Sequence, residues 1–314
     1  MGGIDIKHGI PSLKGSENYW VISSVKEKEL YEYFNDKNII GLAWDKIGVE
    51  DVRNKDLQSI KDNIKNKYSS MTAKYKDESG FMRATTIFSK ELNFFINEIS
   101  VGDIVVVKDR NRDRLMFGLV ISDVFENTEY SKCCPIDKER GNCNKFRRVQ
   151  WLNIKEKKEV SELIINTMYN QQAISKITEE RTKADINKTI FTLFLMEDKL
   201  HAVFEVKKLD SINFESYYNF IDLIHKFRKE YNVTTDFYIK SNVSSPGPIE
   251  IIGASLEIGM FLSLLGVGAI KIFKNDNIKS DVKNNTHDFE REYQVVKSEL
   301  DIKDPGEDGF IKGN

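Results

Sequence analysis

The chain predicts an α+β fold, a small β-barrel with flanking helices followed by a small sheet with helices on one face. Three observations lead there. Short strand-like runs recur in the first half: NYWVISS from Asn18, IIGLAWD ending at Asp45, GDIVVV (Gly102 to Val107), FGLVIS (Phe117 to Ser122) and VQWL (Val149 to Leu152). Such β-branched and aromatic runs, bounded by turn residues, suit a pleated, half-buried surface. Between them lie stretches with apolar residues at helical spacing. In the second half, strand-like and helical runs follow in the order β-β-α-β-β-α, as in a compact layered domain.

Composition narrows the class. A chain of 314 residues with 40% hydrophobic and 11% aromatic residues has enough apolar surface for roughly two packed domains. Lys+Arg (47) and Asp+Glu (49) nearly cancel to a net charge of -2, so no bulk electrostatic pull toward nucleic acid or membrane exists, and any polyanion site is a local patch. The three cysteines, Cys133, Cys134 and Cys143, are too few and too clustered for a disulfide framework. The N-terminus lacks the basic-then-apolar form of a secretion signal, so a cytoplasmic location is expected. The expected organisation is a flexible lead-in over 1–16, a barrel domain over 17–160, a helical linker over 161–186, an α+β interaction domain over 187–275 and a polar tail over 276–314.

The elements follow in order. The barrel begins at Tyr19. Leu30, Tyr31 and Phe34 mark a helix over Lys26 to Asn35, before a buried-looking strand from Ile39 to Trp44. A second helix spans Lys55 to Tyr68, with Leu57, Ile60, Ile64 and Tyr68 on one face. A third spans Phe81 to Ile96, with Ile87, Leu92, Phe95 and Ile96 facing the sheet. The turn Ser100 to Asp103 introduces GDIVVV, and the charged tip Asp109 to Arg114 leads into FGLVIS. Lys132 to Lys145 reads as a polar insertion, the strand Arg147 to Leu152 closes the unit, and a helix over Ser161 to Thr182 leads out. The second unit holds TIFTLFL and HAVFEVKKL joined by a turn at Glu197 to Lys199, then a helix carrying Phe214, Tyr217, Ile221, Ile224 and Phe227. The strand Thr235 to Lys240, the segment SSPGPIEIIG from Ser244 to Gly253, and the apolar run Ile258 to Ile270 follow, with one further helix over His287 to Leu300.

Tyr19-Trp20, the GLAWD of Gly41 to Asp45, GDIVVV, FGLV after the hairpin, and Val149-Gln150-Trp151-Leu152 together resemble the PUA-like superfamily. That superfamily includes EVE and YTH domains and the base-reading domains of modification-dependent restriction systems. The resemblance covers about residues 17–160 and implies a pocket with aromatic walls that accepts a single nucleobase, often modified or flipped out. A base offers two π-faces and a hydrogen-bonding edge, so such a pocket needs aromatic walls and a few fixed polar groups. The candidates are Trp44 and Asp45 where a strand ends, Ser23 and Ser24 closing the first strand, Phe117, Phe125 and Tyr130. Phosphates need cations, which Lys108, Arg110, Arg112 and Arg114 supply at the hairpin tip and Lys145, Arg147 and Arg148 near the closing strand. Each has a plainer reading: Trp20 and Trp151 as barrel core, Trp44 as core or pocket wall, and the hairpin, with Asp109 and Asp113, as a solvated turn.

The expected partner is therefore DNA or RNA, with a modified base and a defence role against foreign DNA implied by the resemblance alone. No motif calls for a cofactor. The cysteines lack metal-ligand spacing and His8, His201, His225 and His287 are distant, so free surface thiols are expected and no metal. No catalytic constellation is complete. One enzymatic alternative stays open: Phe204-Glu205-Val206-Lys207 resembles the ExK half of a PD-(D/E)xK nuclease, with Asp198 and Asp185 the nearest candidates for the second Mg²⁺-binding carboxylate. The C-terminal part resembles a small bacterial α+β domain without known activity. It is expected to mediate homo-oligomer assembly or coupling to a protein partner, and a membrane-associated scaffold is a further alternative. Ile258 to Ile270 is short for a membrane span and is bounded by Glu257 and Lys271.

Overall fold

A computed structural model describes residues 5–7, 10–23, 28–75, 78–109, 113–134, 140–169, 172–207, 214–241, 248–267 and 286–306. It is α+β, with two compact units: Glu17–Ile190 forms the first, and the chain from Phe191 onward, joined by the N-terminal strands, forms the second. Residues 1–16 are thus not simply a lead-in. They supply β1 (Asp5–Lys7) and β2 (Ile10–Leu13), an antiparallel pair in the second unit's sheet, with Ile10 and Leu13 buried. Short strands that carry Asp, Lys, Pro or Ser, here DIK and IPSL, show little of a β pattern in sequence.

The first unit contains β3 (Tyr19–Ser23), α1 (Lys28–Lys37), β4 (Ile39–Leu42), α2 (Leu57–Lys67), α3 (Glu78–Asn93), β5 (Ile104–Lys108), β6 (Arg114–Val120), β7 (Phe125–Glu126), α4 (Thr128–Cys133), β8 (Lys145–Glu156), α5 (Glu162–Thr167), β9 (Ile174–Ile177) and α6 (Glu180–Ile190). Its sheet runs β4-β8-β6-β5-β3-β9, with β7 on β8, and curls into a half-barrel. The length of β8 explains the curl: Lys145 to Arg148 pair with β4, and Val149 to Glu156 with β6, so one strand belongs to both flanks. The expected exit helix over 161–182 is instead α5, β9 and the start of α6. β9 pairs antiparallel with β3, so this stretch completes the sheet and is not a linker.

Two residue types of the GDIVVV and FGLV runs have structural reasons. Gly102 turns with φ +97, and Asp103, only 4% exposed, accepts hydrogen bonds from Asn18 N (3.1 Å), Asn18 Nδ2 (3.3 Å), Trp20 Nε1 (2.9 Å) and Ser100 N (3.0 Å). One carboxylate thus ties the start of β3 to the turn before β5. A register shift in β6 lies between Phe117 and Gly118. A Cβ on Gly118 would stand 2.3 Å from Val149 Cγ1 and 2.7 Å from Trp151 Cε3. Gly118→Ala is expected to cost about 3 kcal/mol by overpacking, read as a lowered thermal midpoint with the far-UV spectrum unchanged.

Trp20 and Trp151 both have structural partners. Trp20 is fully buried, and the half-buried Trp151 donates Nε1–H to Phe34 O (3.3 Å). The inner face of α3 is Phe81, Ala84, Thr85, Phe88 and Leu92, while Ile87, expected there, is 41% exposed. A one-residue offset on a helix rotates a side chain by about 100°, enough to move Ile87 to the rim.

The second unit contains β10 (Leu193–Met196), β11 (Lys199–Val206), α7 (Phe214–Glu230), β12 (Tyr238–Lys240), β13 (Ile249–Ala254), α8 (Ser255–Leu264), α9 (Thr286–Leu300) and β14 (Ile302–Lys303). From β10 to α8 these follow the expected β-β-α-β-β-α order, in a sheet β1-β2-β10-β11-β13-β12 with β14 on β11. Glu197 (φ 51) and Asp198 (φ 63) form the two-residue hairpin turn between β10 and β11, where two left-handed residues match the strand twist. Leu200, Ala202, Phe204 and Val206 pack with Phe220, Ile224, Phe227, Phe261 and Tyr293 of the helices. On the alternate positions, buried His201 Nδ1 meets Glu250 Oε1 at 2.7 Å, with Phe194 stacked on the imidazole at 4.6 Å. Ser244 to Gly247 and residues 268–270 lie outside the described residues. Among the described residues no helix is long and apolar enough to cross a membrane.

Candidate functional site

The site grows from the end of β4. After Leu42 the chain turns through Ala43 and Trp44, whose φ is +82. That backbone region is sparsely populated by bulky residues and costs on the order of 1–3 kcal/mol, so surrounding contacts must hold it. Three contacts do. Trp44 N and Asp45 N both donate to Arg140 O (2.9 and 3.2 Å), and buried Lys145 Nζ donates to Trp44 O (2.8 Å) and Ile47 O (2.7 Å). Gly141 (φ +77) lies against the Asp45 carboxylate so closely that a Cβ there would stand 2.1 Å from its oxygen.

This clasp closes an aromatic cage. Trp44, with no exposed surface, meets Tyr68 edge-on (5.0 Å, 87°) and Phe88 at a tilt (4.7 Å, 50°). The Arg140 guanidinium sits in the angle between the rings, 5.1 Å from the Trp44 centroid and 4.7 Å from that of Phe88. Arg140 Nη1 donates to Glu91 Oε2 (3.3 Å), and Glu91 Oε1 accepts from Ala173 N (2.7 Å). The Glu91 side chain is 2% exposed and that of Arg140 18%, so the guanidinium forms the outer wall. The Tyr68 hydroxyl donates to Asp45 Oδ1 (2.9 Å) and accepts from Lys46 N (3.0 Å). Trp44 Nε1 is buried without a hydrogen-bond partner among the described residues. Chemically, the cage accepts a flat, delocalised group that also offers N–H donors to a buried carboxylate.

Of the expected pocket residues, Trp44 and Asp45 belong to this site. Ser23 and Phe117 do not: they lie on the sheet face of Tyr19, Val21 and Val106, opposite the core that holds Trp20, Ile22, Met116 and Trp44. Phe125 and Tyr130 form a separate cluster with Phe146. Ser24, Arg110 and Arg112 lie outside the described residues.

The expected phosphate cations are largely structural. Lys108 is fully buried and donates to Met168 O (2.6 Å), and Arg147 is 2% exposed and donates to Phe95 O (2.9 Å), Ser122 O (3.2 Å) and Ile96 O (3.3 Å). Lys145 is likewise buried. Arg114 pairs with Glu32 (2.6 Å) and lies over the Tyr31 ring (5.0 Å). Arg148 alone of the closing-strand group is exposed, its guanidinium 5.9 Å from the Phe125 centroid. Alternation marks every second residue of a strand as outward only when one face is solvated. Here both faces of the sheet are covered, so cations turn inward onto carbonyls.

Burial drives Lys145 down to about 8 against a model-peptide value of 10.5. Between pH 8 and 10 the unfolded chain therefore binds more protons than the folded one, and stability from this group rises with pH. The expected slope is at most about 1.4 kcal/mol per pH unit. Urea denaturation of wild type and Lys145→Met across that range checks it: the wild type gains on the variant as pH rises, and parallel curves contradict the assignment.

The sequence profile of the family described as a domain of unknown function (DUF8426) matches residues 20–178, half of the chain. This chain belongs to the DUF8426 family. The DUF8426 match takes in every strand of the first unit from Trp20 through β9, and Trp44, Tyr68, Phe88, Glu91 and Arg140 all lie within it. No curated protein matches the chain.

In the second unit, Glu205 faces Lys303 (3.8 Å), and Lys207 donates its backbone N–H to Asp301 O (3.0 Å). Asp198 occupies the hairpin turn, and Asp185 belongs to the first unit, paired with Lys188 (2.8 Å). Among the described residues no three His, Cys, Asp or Glu side chains are grouped as metal ligands.

Proposed function

We propose that the DUF8426 unit binds nucleic acid, DNA or RNA, by accepting one base at the Trp44 cage, in a cytoplasmic setting, with the second unit serving assembly or coupling to a partner. The observation behind this reading is that the cage already holds a flat π-cation, Arg140, over Trp44 and Phe88. A guanidinium and a nucleobase share thickness, planarity and N–H edges, so a base that displaces Arg140 finds a stacking surface and the Glu91 acceptor. The strained Trp44 backbone adds support, since such strain collects at functional sites. A modified base and a role in defence extend this proposal through the PUA-like resemblance.

The test is a binding series with short single strands carrying modified or unmodified bases, at one stated salt concentration because phosphate contacts are steeply salt-dependent. Phe88→Leu removes one aromatic wall and keeps most of the volume. It is expected to weaken binding about tenfold, within the range of one lost stacking contact. Equal affinity of Phe88→Leu and wild type, with matching circular dichroism, removes the cage from the function.

A further inference from the structure

The Trp44 cage has an acceptor edge as well as aromatic faces. Glu91 is held in place at that edge: its Oε1 accepts the Ala173 backbone N–H (2.7 Å) and its Oε2 accepts Arg140 Nη1–H (3.3 Å), with the side chain 2% exposed. The same guanidinium lies over Trp44 (5.1 Å) and Phe88 (4.7 Å), so one planar group both stacks on the rings and donates N–H to the carboxylate. The segment that carries it is anchored. Cys134 and Cys143, expected as surface thiols, are instead buried in the first unit's core (3% and 4% exposed), whereas Cys133 is exposed. Arg140 O accepts from Trp44 N and Asp45 N. The Arg140 side chain, 18% exposed, can therefore leave the cage by its own torsions while its backbone stays.

We propose that the base selected by the cage is guanine. This rests on base acceptance at Trp44 and names which base the site takes. An ionised carboxylate accepts hydrogen bonds and cannot donate them, so Glu91 favours a ligand edge made of donors alone. Guanine contains a guanidine unit within its ring, and its Watson–Crick edge presents N1–H and N2–H side by side, as a guanidinium does. Adenine and cytosine each set an amino group beside a bare ring nitrogen. Thymine and uracil flank one N–H with two carbonyls. Each of these turns at least one lone pair toward the Glu91 carboxylate, which repels it. A buried polar group left unmatched costs more than a formed bond contributes, so a site built on such a group discriminates strongly. Guanine replaces Arg140 donor for donor and, like it, stacks on Trp44 and Phe88 while its edge meets Glu91.

The full chain is titrated at one stated salt concentration with single strands, made as DNA and as RNA, that are all thymine or all uracil except at the centre. The central position carries guanine, adenine, cytosine, hypoxanthine, O6-methylguanine, the background base or no base. Guanine is expected to bind about tenfold or more tighter than adenine, cytosine or the background base, the size of one charge-assisted hydrogen bond. Hypoxanthine, which keeps N1–H and lacks the amino group, falls between. O6-methylguanine, which lacks N1–H, drops to the level of adenine. Glu91→Gln, whose amide offers both a donor and an acceptor, loses the preference for guanine with its circular dichroism unchanged. The wild-type series decides by itself if that variant does not fold. Equal affinity for all bases, with the abasic strand weaker, overturns guanine selection and leaves base acceptance standing. An abasic strand that binds as well as the others overturns both. Hypoxanthine binding as tightly as guanine, or a guanine preference retained by folded Glu91→Gln, overturns the match to the Glu91 carboxylate.

Discussion

Asp103→Ala is expected to destabilise the first unit by about 4 kcal/mol, enough to leave a marginal domain largely unfolded. The size follows from what the carboxylate serves. Its oxygens accept the buried indole N–H of Trp20, the backbone N–H of Ser100, and both the backbone and side-chain N–H groups of Asn18. Removing it deprives several donors at once, and a buried donor without a partner costs more than a formed bond contributes. Asp103→Asn keeps one acceptor oxygen and the shape, so about half of that loss is expected. Urea denaturation followed by Trp fluorescence measures both. A destabilisation of under about 1 kcal/mol for the alanine variant would show that water or other groups satisfy these donors and that the carboxylate does not hold the turn.

The fold was legible where side-chain periodicity is strong. The runs at Tyr19, Ile39, Gly102, Phe117 and Arg147 are strands, and the second unit keeps its expected element order. The N-terminal strands and β9 were not legible, because they are short, carry charged, proline or serine residues in place of an apolar run, and some of their partners lie far along the chain. The site was half legible. GLAWD pointed to Trp44 and Asp45, and the helical spacing of Leu57, Ile60, Ile64 and Tyr68 put Tyr68 inward, as observed. Phe88, Glu91 and Arg140 were missed. Phe88 sits one position from Ile87, the residue expected to face inward, and Arg140 lay in what read as a polar insertion. The cations at 108, 145 and 147 misled for a physical reason: sequence shows charge but not whether backbone carbonyls wait at the other end of the side chain.

Burial of Trp44 also changes which variants are informative. Trp44→Ala would open a large core cavity and cost roughly 3–5 kcal/mol, so lost binding could follow from lost structure. Arg140→Ala is the cleaner probe, because it empties the outer wall and leaves the rings in place. If Arg140 competes with a base for the cage, its removal raises the fraction of open cages and tightens binding, by roughly tenfold for a cage that is open about a tenth of the time. The same variant leaves Glu91 with less compensation, so a modest loss of stability accompanies the gain in affinity. Gain of binding alongside loss of stability is a combination that general damage does not produce.

The most direct test of base acceptance at the Trp44 cage is a titration of wild type and Arg140→Ala with paired single strands, one intact and one carrying an abasic position at its centre, at fixed salt. Base acceptance predicts that Arg140→Ala tightens binding to the intact strand and not to the abasic one. Equal affinities of the two proteins for the intact strand, or an equal gain on the abasic strand, would contradict it.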